Sequence, residues 1–210
     1  DINLGCPFPM IAGKHKGAGM LLYPAQVAEV LAPIAEYPEI QFSLKMRLGW
    51  ENASECMVLV ELLNTLRLSR IALHARTGKQ QYKGHPDLEA FQGFYELCQH
   101  PLYYNGGIES LSDIRQILIR FPLLKGVFIG RGLLSSPLLA KEFKGNETFL
   151  PEQRMSIYFA FHEELFSAYS QVLQGETQLL VKMKTLWEYF LPETDRKLLK
   201  RIKKSTRLQQ

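Results

Sequence analysis

The strongest constraint on this chain is a repeat of strand, polar or glycine-rich loop, and helix. Short β-type runs occupy residues 41–47, 70–74, 102–104 and 126–129, and residues 1–4 read as the tail of another. Amphipathic helical stretches lie between them, near 24–36, 52–66, 87–98 and 111–121, with Pro24, Asn52 and Ser110 as start signals. Asp113, three residues after Ser110, completes a pattern like a capping box. Such alternation dictates a parallel sheet. Each strand runs into chemistry: Gly5-Cys6-Pro7, Arg47-Leu48-Gly49, His74-Ala75-Arg76-Thr77, Asn105-Gly106-Gly107 and Gly130-Arg131-Gly132. Functional residues at the C-terminal ends of successive parallel strands are the mark of a (β/α)8 TIM barrel, whereas a doubly wound sheet concentrates them at one crevice. A closed barrel takes about 250 residues. The expected fold is therefore α/β, with residues 1–145 as the C-terminal portion of a TIM barrel whose first strands are missing. The start, Asp1-Ile2-Asn3-Leu4, has no initiator Met and no basic leader, and reads as the middle of a longer polypeptide.

Beyond Pro151 the pattern changes to helical. Tyr158, Phe161, Leu165, Ala168, Tyr169 and Val172 share one spacing. Gly175 breaks the run. A second helix carries Leu179, Leu180, Met183, Leu186, Trp187 and Phe190, Pro192 closes it, and a basic helix follows. Residues 151–210 are thus expected to form a small all-α domain. From Arg196 to Arg207 stand seven basic residues and no acid, although the net charge of the chain is only +4. That run is either a solvated helix or a nucleic-acid contact surface.

The remaining composition excludes several classes. No apolar run approaches the ~20 residues of a membrane helix. The three cysteines, Cys6, Cys56 and Cys98, are far apart and show no zinc spacing, which suits a reducing cytoplasm and predicts no metal. Cys56 falls on an apolar helix face, Cys98 ends another apolar helix, and both read as core. Nothing in the sequence calls for an obligate protein partner.

Several strand-end residues carry more than structure. Glycines at Asn105-Gly106-Gly107 and Gly130-Arg131-Gly132 let main-chain N–H groups approach an anion ahead of a helix. Loops of this kind on the last two strands hold phosphate in many barrels. Lys45 lies inside an apolar strand, so it is either outward and solvated or directed at an anionic partner. His74 is either a satisfied core histidine or a donor to the same group. Cys6 sits at a strand end, a poor core position, where a thiol serves as nucleophile or general acid.

Together these segments form a pattern that resembles the tRNA-dihydrouridine synthases. Asp1-Ile2-Asn3-Leu4-Gly5-Cys6-Pro7 matches their DxNxGCP signature, and Lys45-Met46-Arg47-Leu48-Gly49-Trp50 resembles their KxRxGW segment. His74-Ala75-Arg76-Thr77 with Gln80-Gln81-Tyr82 and Gly84, then Asn105-Gly106-Gly107-Ile108 and Ile129-Gly130-Arg131-Gly132, follow in the same order across residues 1–132. The resemblance implies FMN held by Lys45, His74, Asn105, Gly106, Gly107, Gly130 and Arg131, with NADPH as reductant. It implies hydride transfer to C6 of a flipped-out uridine in tRNA, and Cys6 as the catalytic acid at C5. Asn3 would touch base or flavin, Arg76 the base or RNA, and Lys200, Arg201, Lys203 and Lys204 the tRNA backbone. The sequence departs from the pattern where Phe8-Pro9-Met10 replaces a common lysine, where the loop to Gly17-Ala18-Gly19 is about two residues longer, at Ala75 for Gly, and at Leu88 near a usual Trp. Two other readings stay open. One is a flavin-dependent reductase or dehydrogenase of free pyrimidines. The other is a non-catalytic RNA-binding protein on a decayed barrel.

Overall fold

A computed structural model describes residues 1–208. Five strands, β1 (Ile2–Leu4), β2 (Phe42–Gly49), β3 (Leu68–Thr77), β4 (Leu102–Asn105) and β5 (Gly126–Phe128), form one parallel sheet in sequential order. Ten α-helices are described: α1 (Pro9–Ala12), α2 (Pro24–Leu31), α3 (Glu55–Thr65), α4 (Leu88–Leu97), α5 (Leu111–Arg120), α6 (Arg131–Ser135), α7 (Leu139–Gly145), α8 (Pro151–Val172), α9 (Glu176–Leu186) and α10 (Arg196–Lys204). The chain divides into two compact units, one of residues 1–108 and 112–129, the other of 109–111 and 130 onward. The sequence expectation puts its boundary between 145 and 151, and the last two residues of its second domain lie outside the described residues. In the structure α6 and α7 fall with the helical unit.

Strand register sorts the side chains of the first unit onto two faces. Asn3 pairs with Lys45, Lys45 with Ala72, and Ala72 with Tyr103; one step further, Arg47 pairs with His74 and His74 with Asn105. Because side chains alternate along a strand, Asn3, Lys45, Arg47, His74, Arg76 and Asn105 share one face. The opposite face is apolar: Leu44, Met46 and Leu48 on β2, Ile71, Leu73 and Ala75 on β3, Leu102 and Tyr104 on β4, all buried. Helix α3 covers β2 and α4 covers β3. Cys56, Leu59, Val60 and Leu63 of α3, and Phe91 and Phe94 of α4, are buried. Phe91 meets Tyr104 and Phe121 edge-on, with ring centroids 4.9 and 5.0 Å apart. Burial pushes the Cys56 thiol up to about 12, so that sulfur is core, and Cys98 caps the end of α4.

Three local outcomes differ from the expectations. The stretch 24–36 stops being α-helical at Leu31 and continues as a 3₁₀ turn over Ala32–Glu36, because Pro33 has no N–H for an α-helical bond. Asn52 does not start α3; the helix begins at Glu55, whose carboxylate accepts the N–H groups of Trp50, Glu51 and Asn52. The segment after Cys6, expected only as a loop, holds α1 and a 3₁₀ helix over Gly17–Leu22.

The second unit has its own core of Leu138, Tyr158, Leu179, Met183, Leu186 and Phe190, with Phe161, Phe166 and Trp187 packed against it. Tyr158 also shares a 2.8 Å hydroxyl–hydroxyl bond with Ser136. Helix α10 is capped by Asp195, whose carboxylate accepts from the Lys197 and Leu198 N–H groups.

Candidate active site

The polar face of the sheet ends where β1 turns out through Gly5 and Cys6. Asn3 shapes that turn: its side-chain oxygen accepts the Gly5 N–H at 2.8 Å. The Cys6 carbonyl then accepts the Ala18 N–H at 3.0 Å. Arg47 secures the turn from the neighbouring strand. Its Nε donates to the Gly5 carbonyl at 3.0 Å, and Nη1 donates to the carbonyls of Thr77 and Gln81 at 2.7 and 2.8 Å. With only 1% of its surface exposed, this guanidinium ties the ends of β1 and β3 together. Burial lowers its proton affinity; the Tyr82 hydroxyl and the Cys6 thiol act in the other direction. The half-buried Cys6 side chain therefore lies within electrostatic reach of Arg47. Arg47 also stands 5.4 Å from the ring centroid of Tyr82, an exposed side chain whose ring lies 6.3 Å from that of His74.

Lys45 is half-buried one register step below Arg47. Burial first, and the positive charge of Arg47 second, hold its ammonium below the usual lysine range. No carboxylate among the described residues pairs with it. A desolvated cation of this kind favours an anion beside it.

His74 is buried, and its Nε2 stands 3.3 Å from Nη1 of Arg76. A guanidinium only donates, so Nε2 accepts and a neutral ring carries its proton on Nδ1. Arg76 is likewise buried and donates through Nη2 to the Gly84 carbonyl at 2.9 Å. It braces the loop after β3 and orients His74, a task the sequence did not reveal.

Asn105 donates from Nδ2 to the Phe128 carbonyl at 2.8 Å, fixing β4 to β5 at their C-terminal ends. Gly106 and Gly107 follow with φ of +136° and +60°, a backbone course that disfavours any L side chain. They line a cavity of about 400 Å³ with Tyr104, Asp113 and Arg120. Gly130 and Arg131 open α6 directly after β5, and in the second unit Arg131 lines a cavity of about 760 Å³ with Arg154, Tyr158 and Tyr189. On α10, Lys200, Arg201 and Lys204 share one shallow face with Lys197, which sequence reasoning left out although the spacing of three and four residues signals it. Lys203 does not line that face. Arg47 and Tyr82 were missed as site residues too. An arginine within an apolar strand was the available signal.

Comparison with known proteins adds one family match and three relatives. The dihydrouridine synthase family matches residues 1–209. A probable tRNA-dihydrouridine synthase from Aquifex aeolicus (strain VF5) is 35% identical over 148 residues, 69% of this chain and 46% of that protein. One from Rhizobium leguminosarum bv. phaseoli is 31% identical over 138 residues, 65% of this chain and 43% of that protein. The tRNA-dihydrouridine synthase B of Vibrio vulnificus (strain CMCP6) is 27% identical over 156 residues, covering 72% and 48%. The chain spans about half the length of the curated relatives it matches.

Proposed function

The chain belongs to the dihydrouridine synthase family, and from that premise we propose that it reduces the 5,6 double bond of uridines in tRNA, with Cys6 as the acid. The parallel sheet is then part of a (β/α)8 barrel, and the helical unit from residue 130 is the RNA-binding part. The expected compartment is the cytoplasm; no helix among the described residues is long and apolar enough to cross a membrane.

The residues present suit FMN. Lys45 offers a cation with no carboxylate partner among the described residues, and His74 stands on the neighbouring strand. These would hold the anionic edge of the flavin ring, while Asn105, Gly106, Gly107, Gly130 and Arg131 would hold its phosphate. FMN, when bound, supplies the hydride that adds to uracil C6, and NADPH returns the two electrons.

The chain's own residues do the rest. Hydride addition leaves enolate-like charge on the base, which needs a proton at C5. Cys6 gives that proton from its thiol and recovers one from water. Asn3 holds the Gly5–Cys6 turn by its side-chain oxygen, leaving its amide NH₂ for a base carbonyl. Arg47 fixes the same turn from below. Arg76 keeps His74 in one tautomer. Lys197, Lys200, Arg201 and Lys204 face RNA phosphates, with Lys203 beside them. This cationic stripe favours RNA over a free pyrimidine.

One observation carries the reading: Asn3 and Lys45 are register partners on the polar face of the sheet, and the turn that bears the half-buried Cys6 is tied to that face by Asn3 and Arg47. The test is Cys6→Ala in the full-length protein. The variant should keep its flavin absorbance and lose tRNA turnover by about 10²–10⁴-fold. Near-normal turnover would overturn the assignment.

A further inference from the structure

The residues directly after the thiol are not used by the mechanism above. Phe8, Met10 and Ile11 are 55%, 70% and 38% exposed, beside a site otherwise built of polar groups. Apolar side chains cost free energy in water, so three exposed in one short stretch, beginning two residues after the thiol, favour a surface that covers them.

The tip they form is fixed in place. The N–H groups of Ile11 and Ala12 both donate to the Phe8 carbonyl at 2.9 Å, and Gly13 donates to Pro9 at 2.8 Å. Ala12 is buried. Its backbone lies so close to Gly19 that a Cβ there would stand 2.2 Å from the Ala12 carbonyl oxygen. Gly17, at φ +56°, leaves room for Cys6 in the same way. The loop thus stands on the Gly17–Leu22 turn and holds Phe8 and Met10 outward at low entropic cost.

Charge identifies the occupant. Lys14 and Lys16 follow the tip, both exposed and without a salt bridge among the described residues. Between them His15 stacks on Tyr23, with ring centroids 4.1 Å apart. A cover of protein would have to desolvate these two lysines. Single-stranded nucleic acid would not: it matches cations with phosphates and apolar side chains with base faces. An enzyme that takes a base out of its stack also leaves a gap, and inserted apolar side chains fill such gaps elsewhere.

We infer that Phe8 and Met10 are a wedge that occupies the space vacated by the uridine presented to Cys6, with Lys14 and Lys16 on the flanking phosphates. The inference rests on the proposed function and adds the residues that set which uridines are reached. A uridine in a structured region needs the wedge; one in an unstructured strand does not.

The experiment uses the full-length protein as wild type, the double variant Phe8→Ala/Met10→Ala, and Phe8→Trp. Each is given folded tRNA and a short unstructured RNA containing the same uridine, and dihydrouridine formation is followed as kcat/KM. 2-Aminopurine placed beside the uridine reports unstacking. The double variant should lose about ten- to hundred-fold on tRNA, with a weaker 2-aminopurine signal. It should keep its rate on the unstructured RNA, its flavin content and its melting temperature, while Phe8→Trp retains activity on both. Equal loss on both RNAs, or no loss on either, overturns the wedge. So does a lowered melting temperature of the RNA-free variant, which would mean that another part of the polypeptide covers the tip. Wild-type protein that makes no dihydrouridine on either RNA overturns the reading of function itself, and the wedge with it.

Discussion

Lys45 and Arg47 lie two residues apart on one strand and carry the same charge, yet they do different work. Arg47 has three main-chain acceptors from two segments and is part of the framework. Replacing it by Ala leaves those buried carbonyls without their donor, at a cost of about 2–4 kcal/mol. Urea unfolding of the full-length protein should show a fall of that size; an unchanged midpoint would count against the brace. Lys45 has burial and a like charge against it, and an anion beside it would raise its proton affinity again. Flavin affinity should therefore be full below the lowered Lys45 value and decline as pH climbs past it towards ~10.4. Lys45→Met should bind more weakly with a flat profile. A flat profile in the wild type would contradict the contact. Both residues were visible as charges in an apolar strand, but composition could not tell a cation with built-in acceptors from one without. Register and hydrogen bonds decide that. Arg76 shows the same limit from the other side. Its place in a motif suggested contact with the base or RNA, and coordinates were needed to show that its buried guanidinium also stands against His74 and Gly84.

At the scale of elements, strand order was legible because each strand is a short apolar run bounded by glycine or polar residues. Strand ends were less so. β3 was expected to stop at His74 and runs to Thr77, because Ala75 and Arg76 are buried and continue the alternation. Short helices escaped notice. α6 and α7 have five and seven residues, too few turns for a periodicity to emerge. α10 is the opposite case, a basic helix plain in the sequence whose grouped cationic face needed coordinates. If Lys197, Lys200, Arg201 and Lys204 track phosphates, tRNA affinity should fall steeply with salt. Replacing all four by Ala should reduce the log–log slope by roughly 3, at ~0.9 or less per phosphate. Lys203→Ala should change it far less. An unchanged slope in the fourfold variant would make the stripe a solvated surface.

At the scale of the whole molecule, a sequential parallel sheet brings the C-terminal ends of all its strands to one edge. That is how residues as distant as Asn3 and Asn105 come to share a face. The alternation of strands and helices made this arrangement readable, and the ordered motifs made the family readable. The division between units was harder to place: the contacts put it at residue 130, well before the change in periodicity near Pro151. The central claim is that a thiol on this edge protonates uracil in RNA. It is tested most directly by mapping dihydrouridine in tRNA from cells lacking the gene, complemented with the full-length protein as wild type or Cys6→Ala. Loss of the modification at one or more positions, restored by the wild type and not by Cys6→Ala, is the predicted result. Dihydrouridine retained at every position in the deletion strain, or restored by Cys6→Ala, would contradict it.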